Sequence, residues 1–368
     1  MCIRDSNFST DFDMKGRLSR LVEKFESAGC EALLVTSLTN IYYLSGFTGS
    51  AGLLWIEKDK ALLLVDGRYG EQAVEEVEKS GAQIEVEMVG SLQSEKLKTI
   101  SKMTNRVGLE AQSVTWARMK NLEKIFENSE LVFTEGLVED LRQIKDKGEI
   151  ALMKTAAEIA DKALASIWPI LETGVTEKEV STALDEMMIK HGAEGTAFET
   201  IIAAGPNSAR PHARPGDRIL SEGDLVVCDM GALYKSYRSD MTRSTRIGGT
   251  GTGKPAEMLE VVLEAQKAGL ETVKEGVPNA DVDAACREVL KEAGLAEAFT
   301  HGTGHGVGLD IHEAPTLSGL TTDTLRSGQV VTVEPGVYLP DVGGVRWEDT
   351  VIVTEQGCEF LTHSPKII

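Results

Sequence analysis

Residues 224–247 read DLVVCDMGALYKSYRSDMTRSTRI, and the way this stretch folds back on itself decides what the rest of the chain can build. Two strand-like runs flank a polar centre, and each carries one aspartate inside it, Asp229 and Asp240, with ten residues between them. The even spacing predicts a hairpin turning around Tyr234 and Lys235, with the two aspartates directly opposite on one face and their Cβ atoms roughly 4.5–5.5 Å apart. Facing carboxylates repel by about 4 kcal/mol at ~4 Å for an effective dielectric near 20, so a partly buried pair either shares a proton or binds a cation. The cation is the preferred reading.

Further along, three of the six histidines, His301, His305 and His312, fall within HGTGHGVGLDIH (301–312). One histidine in a glycine-rich loop needs only turn geometry to explain it, but three beside carboxylate-bearing strands point to a site. Glu334 follows an apolar run in QVVTVEPGVY (329–338), and Glu348 interrupts GGVRWEDTVIVT (343–354) on the expected partner strand. A glutamate facing a core is prohibitive unless it is paired or coordinating. Asp229, Asp240, His305, Glu334 and Glu348 therefore form a candidate ligand set of four carboxylates and one imidazole. Two divalent cations neutralise four carboxylates, whereas one leaves about two negative charges uncompensated, so two metals are expected. Carboxylate-rich ligation suits Mn²⁺ first, or Co²⁺, with Zn²⁺ and Fe²⁺ left open by ligand type.

Around this centre the chain divides in two. From Met14 to about Glu139, apolar runs at 32–36, 52–56 and 61–65, and further strand-like runs near 83–88 and 131–133, alternate with helical patterns. The pattern predicts an α/β domain over 14–139. Its first helix is marked by Leu18, Leu21, Val22 and Phe25, with Gly29 as the stop. The charged stretch LVEDLRQIKDKGEI, around 138–150, bridges into a second domain over 140–368. There, helices at about 148–172 and 176–191 precede strands at about 224–231, 237–247, 328–334 and 346–354, with two more helices at about 256–275 and 280–293. Helices first and antiparallel strands later predict an α+β class. Residues 1–6, MCIRDS, join this pattern poorly, read like a translated sequencing adaptor, and are set aside as a non-native artefact; residues 7–13 stay undecided.

Composition narrows the function. Of 368 residues, 58 are acidic and 38 basic, a net charge of 38 − 58 = −20, and no basic patch breaks the acidic balance. Nucleic acid and anionic membrane surfaces are therefore not expected partners, and a small or neutral one is. No run is apolar enough to span a membrane, and the first thirty residues carry charges throughout in place of a secretory core, so a cytoplasmic protein is expected. Cys2, Cys30, Cys228, Cys286 and Cys358 are odd in number and contain no CxxC pair, which predicts free thiols. The stretch GGTGTGKP (248–255) imitates a phosphate-binding loop, but Pro255 stands where the Mg²⁺-binding hydroxyl is required. It is read instead as a strand-to-helix loop with Pro255 in the first helical turn. In GTGHGVG, Val307 occupies the third glycine position of a dinucleotide fingerprint.

The order Asp-x10-Asp, GTGHGVG, VEPG and GVRWED closely resembles the pita-bread metallopeptidases, the family of aminopeptidase P, prolidase and methionine aminopeptidase. The resemblance covers nearly the whole chain, because NIYYLSGFTGS (40–50) and VDGRY (65–69) are similar to the non-catalytic, creatinase-like amino-terminal domain of aminopeptidase P and prolidase. It implies that Asp229, Asp240, His305, Glu334 and Glu348 hold a dinuclear metal centre. It further implies that His212, in NSARPHARPGD (207–217), and His312 contact substrate and tetrahedral intermediate, that Glu334 carries a proton, and that Arg346 lies near the substrate and metal shell. The implied activity is hydrolysis of the Xaa-Pro bond at a peptide amino terminus by a homodimer. The alternatives are a prolidase restricted to Xaa-Pro dipeptides and a pita-bread binding protein without catalysis. FTGSAG (47–52), in place of an acidic, histidine-bearing loop, leans toward aminopeptidase use, and the complete ligand set stands against a binding protein. Arg210 and Trp347 depart from the family pattern and are expected to touch specificity. Asp66, Arg68 and Tyr69 form either a functional edge reaching a partner subunit or a polar turn, and His301 has no assigned role.

Overall fold

A computed structural model of the chain describes residues 12–249 and 251–367. The readings made above for residues 1–6, for 7–11 and for Cys2 lie outside the described residues. The chain divides into two units. One takes the described residues through Arg142 together with Asp146–Gly148; the other takes Gln143–Lys145 and the chain from Glu149 onward.

The first unit is a six-stranded mixed sheet with helices. Its strands are β1 (Ala32–Val35), β2 (Leu53–Glu57), β3 (Lys60–Val65), β4 (Glu85–Met88), β5 (Arg106–Glu110) and β6 (Glu130–Thr134), in the order β4-β3-β2-β1-β5-β6. The pairs β1–β2 and β2–β3 are antiparallel, and β1–β5, β5–β6 and β3–β4 are parallel. Every residue of β1 is buried, the continuous apolar run expected of a strand covered on both faces. The first helix, Met14–Glu23, starts where the Asp13 side chain accepts from the Gly16 amide, and it buries Leu21. The short turn Phe25–Ala28 buries Phe25 and ends at Gly29, whose φ of 74° is the left-handed cap conformation. Helices Leu38–Ser45, Gln93–Ile100 and Trp116–Ile125 and the strand β5 were not legible in the sequence.

The helix Lys147–Ile167, which belongs to the second unit from Glu149 onward, stops short of the expected 172 because Pro169 forces the chain into the 3₁₀ turn Trp168–Ile170. Helix Glu177–Lys190 begins at a reciprocal Thr176–Glu179 capping box. The strands are β7 (Gly195–Thr196), β8 (Ile201–Ala204), β9 (Leu225–Met230), β10 (Ala232–Tyr234), β11 (Tyr237–Arg238), β12 (Met241–Arg246), β13 (Gly304–Gly306), β14 (Glu313–Leu317), β15 (Val330–Val333), β16 (Gly336–Leu339), β17 (Gly343–Arg346), β18 (Asp349–Val353) and β19 (Cys358–Phe360). All the pairings among them are antiparallel. Helices Lys254–Thr272, with Pro255 in its first turn, and Asn279–Glu292 complete the unit.

Two apolar cores explain how this unit aims its charges. Val226, Cys228 and Met230 of β9 and Met241 of β12 pack with Leu164, Val180 and Leu184 of the first two helices. Val331 and Val333 of β15 and Val351 and Val353 of β18 pack with Leu259, Val262, Val282 and Leu290 of the last two. Because side chains alternate across a strand, Asp229 in β9, Thr332 in β15, Thr350 in β18, and Glu334 and Glu348 one step beyond those two strands are turned away from those helices.

Candidate metal centre

The aspartate hairpin differs from the expected register. Asp229 lies opposite Thr242, and the same register continues through Leu233 opposite Arg238 and Tyr234 opposite Tyr237. The turn therefore falls on Lys235 and Ser236, whose φ values of 47° and 68° are the left-handed pair that a two-residue hairpin turn of the primed type requires. The predicted turn at Tyr234 and Lys235 is one residue early. Asp229 and Asp240 are consequently diagonal neighbours, not directly opposite, yet they stay on one face because the shift is two residues. The predicted strand 237–247 also breaks between β11 and β12, at Ser239 and Asp240. Gly231, facing this break, has no room for a side chain: a Cβ would stand 2.0 Å from the Ser239 carbonyl oxygen.

Val333 lies opposite Asp349, so Glu334 and Glu348 face each other one step beyond the β15–β18 ladder. The Glu348 amide donates to the Thr242 carbonyl at 3.2 Å, joining the two hairpins. His305 comes from β13, which lies so close to β15 that a Cβ on Gly304 would meet the Thr332 carbonyl at 2.0 Å. A carbonyl can only accept, so the 3.0 Å contact to the Gly306 oxygen puts the proton of the neutral ring on Nδ1. Nε2 is then turned to the carboxylates, 3.3 Å from Glu334 Oε1 and 3.6 Å from Asp240 Oδ2.

Asp240, His305 and Glu348 each offer a ligand atom within 4.8 Å of the other two. Asp229 and Glu334 line the same cavity of about 570 Å³ with them. Oδ1 of Asp229 and Oε1 of Glu348 are buried and accept no hydrogen bond among the described residues. Buried carboxylate oxygens without donors are costly, and a cation removes that cost. The electrostatics agree. Burial, then the charges of Glu348, Asp229 and Glu334, pushes Asp240 well above the usual carboxylate range, and burial with Glu334 and Asp229 does the same to Glu348. Burial also raises Asp229 against the pull of Arg346. Only Glu334 goes the other way: burial is outweighed by the hydrogen bond and charge of His305, with His301 and Arg346, which bring it to about 2. His305 is raised in turn, burial being overcome by Glu334. The donor set fits divalent cations.

A pH dependence follows. Asp240, Glu348, Asp229 and His305 all have folded pKa values above their unfolded ones, so without metal the folded state holds more protons than the unfolded state as pH rises past the ordinary carboxylate range. Stability of the chelated protein is expected to fall between about pH 5 and pH 8, while excess divalent metal, which replaces those protons, flattens the decline. Melting temperatures across that range with and without chelator measure it; parallel curves would contradict it.

Arg346 organises one side of the cavity. Its guanidinium donates to Asp229 Oδ2 at 2.6 Å, Thr242 Oγ1 at 3.0 Å, Tyr338 Oη at 2.8 Å and the Pro211 carbonyl at 3.3 Å. Thr242 Oγ1 in turn donates a hydrogen bond to Glu348 Oε2 at 2.7 Å. Tyr338, accepting from Arg346, donates to His301 Nε2 at 2.9 Å, because His301 Nδ1 is committed to the Gly302 carbonyl. Sequence reasoning missed Thr242 and Tyr338 and left His301 without a role. The one signal for them was nearness to Asp240, Glu334 and His305 in the chain. His212 and His312 both line the cavity, and the His312 ring stands 4.4 Å from that of His305, edge to face. Burial and the His305 charge hold His312 below the usual histidine value. Trp347 is a correction: it is fully buried in the helix-facing core, its indole donating to the Leu259 carbonyl, and it does not line the cavity. Arg210 is exposed and also lies outside the lining, although its neighbour Pro211 belongs to it. Cys30, Cys228, Cys286 and Cys358 are free thiols. Asp66 and Arg68 pair with each other at an exposed turn, where Tyr69 Oη meets Ser50 Oγ at 2.6 Å. Among the described residues no helix is long and apolar enough to cross a membrane.

Comparison with known proteins adds to this geometry. The model of metallopeptidase family M24 matches residues 151–355, and that of the creatinase/prolidase N-terminal domain matches residues 17–144. A protein named Xaa-Pro dipeptidase from Pyrococcus furiosus is 38% identical over 354 residues, covering 96% of this chain and 99% of its own length. Among solved structures, an Xaa-Pro dipeptidase from Bacillus anthracis superposes with a TM-score of 0.92 at 39% identity, covering 97% of this chain and 99% of that one. An X-Pro aminopeptidase from Thermotoga maritima superposes at 0.86 with 35% identity, covering 95% and 98%.

Proposed function

Since the chain belongs to metallopeptidase family M24, a pita-bread catalytic domain behind a creatinase-like α/β domain, we propose that it is a dinuclear-metal Xaa-Pro aminopeptidase. On this reading, residues 140–368 form the catalytic domain and 14–139 the non-catalytic one. The observation that carries it is the meeting of Asp240, His305 and Glu348 in a cavity shared with Asp229, Glu334, His212 and His312. Exposure of Glu199, His212, Arg214 and His312 in the lining of that cavity suits a peptide that continues beyond the proline, which favours aminopeptidase use. The second reading, a dipeptidase, is favoured by the names of the Pyrococcus and Bacillus relatives.

Asp229, Asp240, His305, Glu334 and Glu348 would hold two divalent cations, Mn²⁺ first. When bound, these supply Lewis acidity toward the scissile carbonyl and a water acidic enough to ionise near neutral pH. Glu334 takes a proton from the attacking water and delivers it to the leaving proline nitrogen, which must be protonated as the C–N bond breaks. His312, held neutral at pH 7, donates its N–H to the oxyanion of the tetrahedral intermediate. His212 is the second candidate for moving a proton. Arg346 favours the ionised form of Asp229 and orients its carboxylate.

Metal-reconstituted protein should release the first residue from both Xaa-Pro dipeptides and longer Xaa-Pro peptides. Cleavage of dipeptides alone would make it a prolidase, and no metal-dependent release from either would leave a binding protein. His312→Ala is expected to keep the metal and lose roughly 10²–10³-fold in kcat, the cost of one oxyanion donor; an unchanged rate would remove that role. The same reading takes the protein as a cytoplasmic homodimer acting on small peptides. Light scattering in solution checks the dimer.

A further inference from the structure

Outside the lining of the cavity lies a buried ion pair that no step above uses. Lys145 Nζ and Glu313 Oε2 are 3.2 Å apart, their side chains 1% and 7% exposed. Lys145 belongs to Gln143–Lys145, a three-residue piece of the connecting stretch that is part of the second unit. That piece is fixed along its length. Gln143 accepts from Arg326 at 3.0 Å and from Gln329 at 2.9 Å, Ile144 bridges Gln329, and the Lys145 amide donates to the Gly328 carbonyl at 2.9 Å. The ammonium is thus presented from a rigid support.

Glu313 is the residue after His312. Its second oxygen, Oε1, accepts from the Asp310 amide at 3.0 Å, and its carboxyl lies against Gly308 so closely that a Cβ there would stand 2.7 Å from Oε2. The bend 308–312 is therefore wrapped on the Glu313 carboxylate, and Arg238 holds the far end through the Gly308 and Leu309 carbonyls. Neither Lys145 nor Glu313 reaches the cavity, whereas His312 does. A buried ion pair is a poor source of net stability, because an apolar pair of the same volume serves as well. What it supplies is a fixed geometry.

We propose that Lys145 is a positioning residue for His312: it fixes Glu313, and Glu313 fixes the bend that sets the His312 imidazole beside His305. The inference rests on the reading of His312 as the oxyanion donor. It is tested with the full-length, metal-loaded protein carrying Lys145→Met, His312→Ala or both, followed by kcat and KM on an Xaa-Pro peptide, metal content and melting temperature. Lys145→Met should lower kcat roughly 10–100-fold, the effect of misplacing a reacting group by about 1 Å, with metal content kept and KM changed little. In the His312→Ala background the same substitution should change kcat by less than about 2-fold, because its target is gone. An equal loss in both backgrounds, or no loss in folded Lys145→Met, overturns the inference. Should Lys145→Met fail to fold, Glu313→Gln, which keeps shape and an acceptor for Asp310, carries the same comparison with the same criteria. A silent His312→Ala instead removes the role given to His312 and this inference with it, a result distinct from an equal loss in both backgrounds.

Discussion

Asp240→Asn is expected to lower turnover of Xaa-Pro peptides at least about 10³-fold, and to lower bound divalent metal in parallel, since the substitution keeps the shape of the side chain and removes the charge that a cation needs. Asp240 is almost wholly buried and sits within 4.8 Å, ligand atom to ligand atom, of His305 and Glu348. In the absence of metal its carboxyl is a burden, raised by burial and by the charges of Glu348, Asp229 and Glu334. The metal-free variant should therefore melt no lower than the metal-free parent, and that separates lost chemistry from lost folding. Metal analysis, activity and melting temperature read the three quantities. Normal metal content with a normal rate would contradict the assignment.

Arg346→Met should be costly in both stability and rate. The guanidinium is 4% exposed and pairs with Asp229, itself 13% exposed, while three further donations tie it to Thr242, Tyr338 and the Pro211 carbonyl. Removing one member of a buried pair leaves the other charge uncompensated, at about 3–5 kcal/mol. Bound cations offset part of this by taking over Asp229, so the drop in melting temperature should be larger in chelator than in excess metal. Activity should fall by roughly 10²-fold, because Asp229 and, through Thr242, Glu348 lose their orientation. Arg346→Lys should rescue little, since a lysine cannot supply the planar fork that meets four partners. A variant with parental melting temperature and rate would show that this network is dispensable.

The hairpins show how far sequence reasoning reaches. Alternation alone puts Asp229 on the face opposite Cys228 and Met230, and Glu334 opposite Val333, so the carboxylates were legible as an inward-facing set. The turn position was not, because Lys235 and Ser236 adopt left-handed φ values without the glycine or asparagine that announces such a turn, and a one-residue error there moves the partner of Asp229 from Thr242 to Asp240. In the first unit, the apolar runs ALLVT (32–36) and ALLLV (61–65) were read as strands. Helix Leu38–Ser45 was not read as one, its eight residues being too short for a periodic stripe to stand out. Pro169 was visible, yet the helical pattern was carried past it. Contacts spanning many residues leave no local mark at all. Tyr338 reaches His301 across 37 positions and Lys145 reaches Glu313 across 168, and each depends on which strands become neighbours. Trp347 misled for a related reason. It stands between Arg346 and Glu348, and the period-two alternation that aims those two into the cavity aims the indole into the core.

The most direct measurement is metal stoichiometry titrated against activity. The chelated protein is loaded stepwise with Mn²⁺, bound metal is counted per chain, and release of the first residue from an Xaa-Pro peptide is followed at each step. The account predicts no release without metal and full release as occupancy approaches two ions per chain. Release that is indifferent to chelation, or a fully folded chain that takes up no divalent metal, would contradict it.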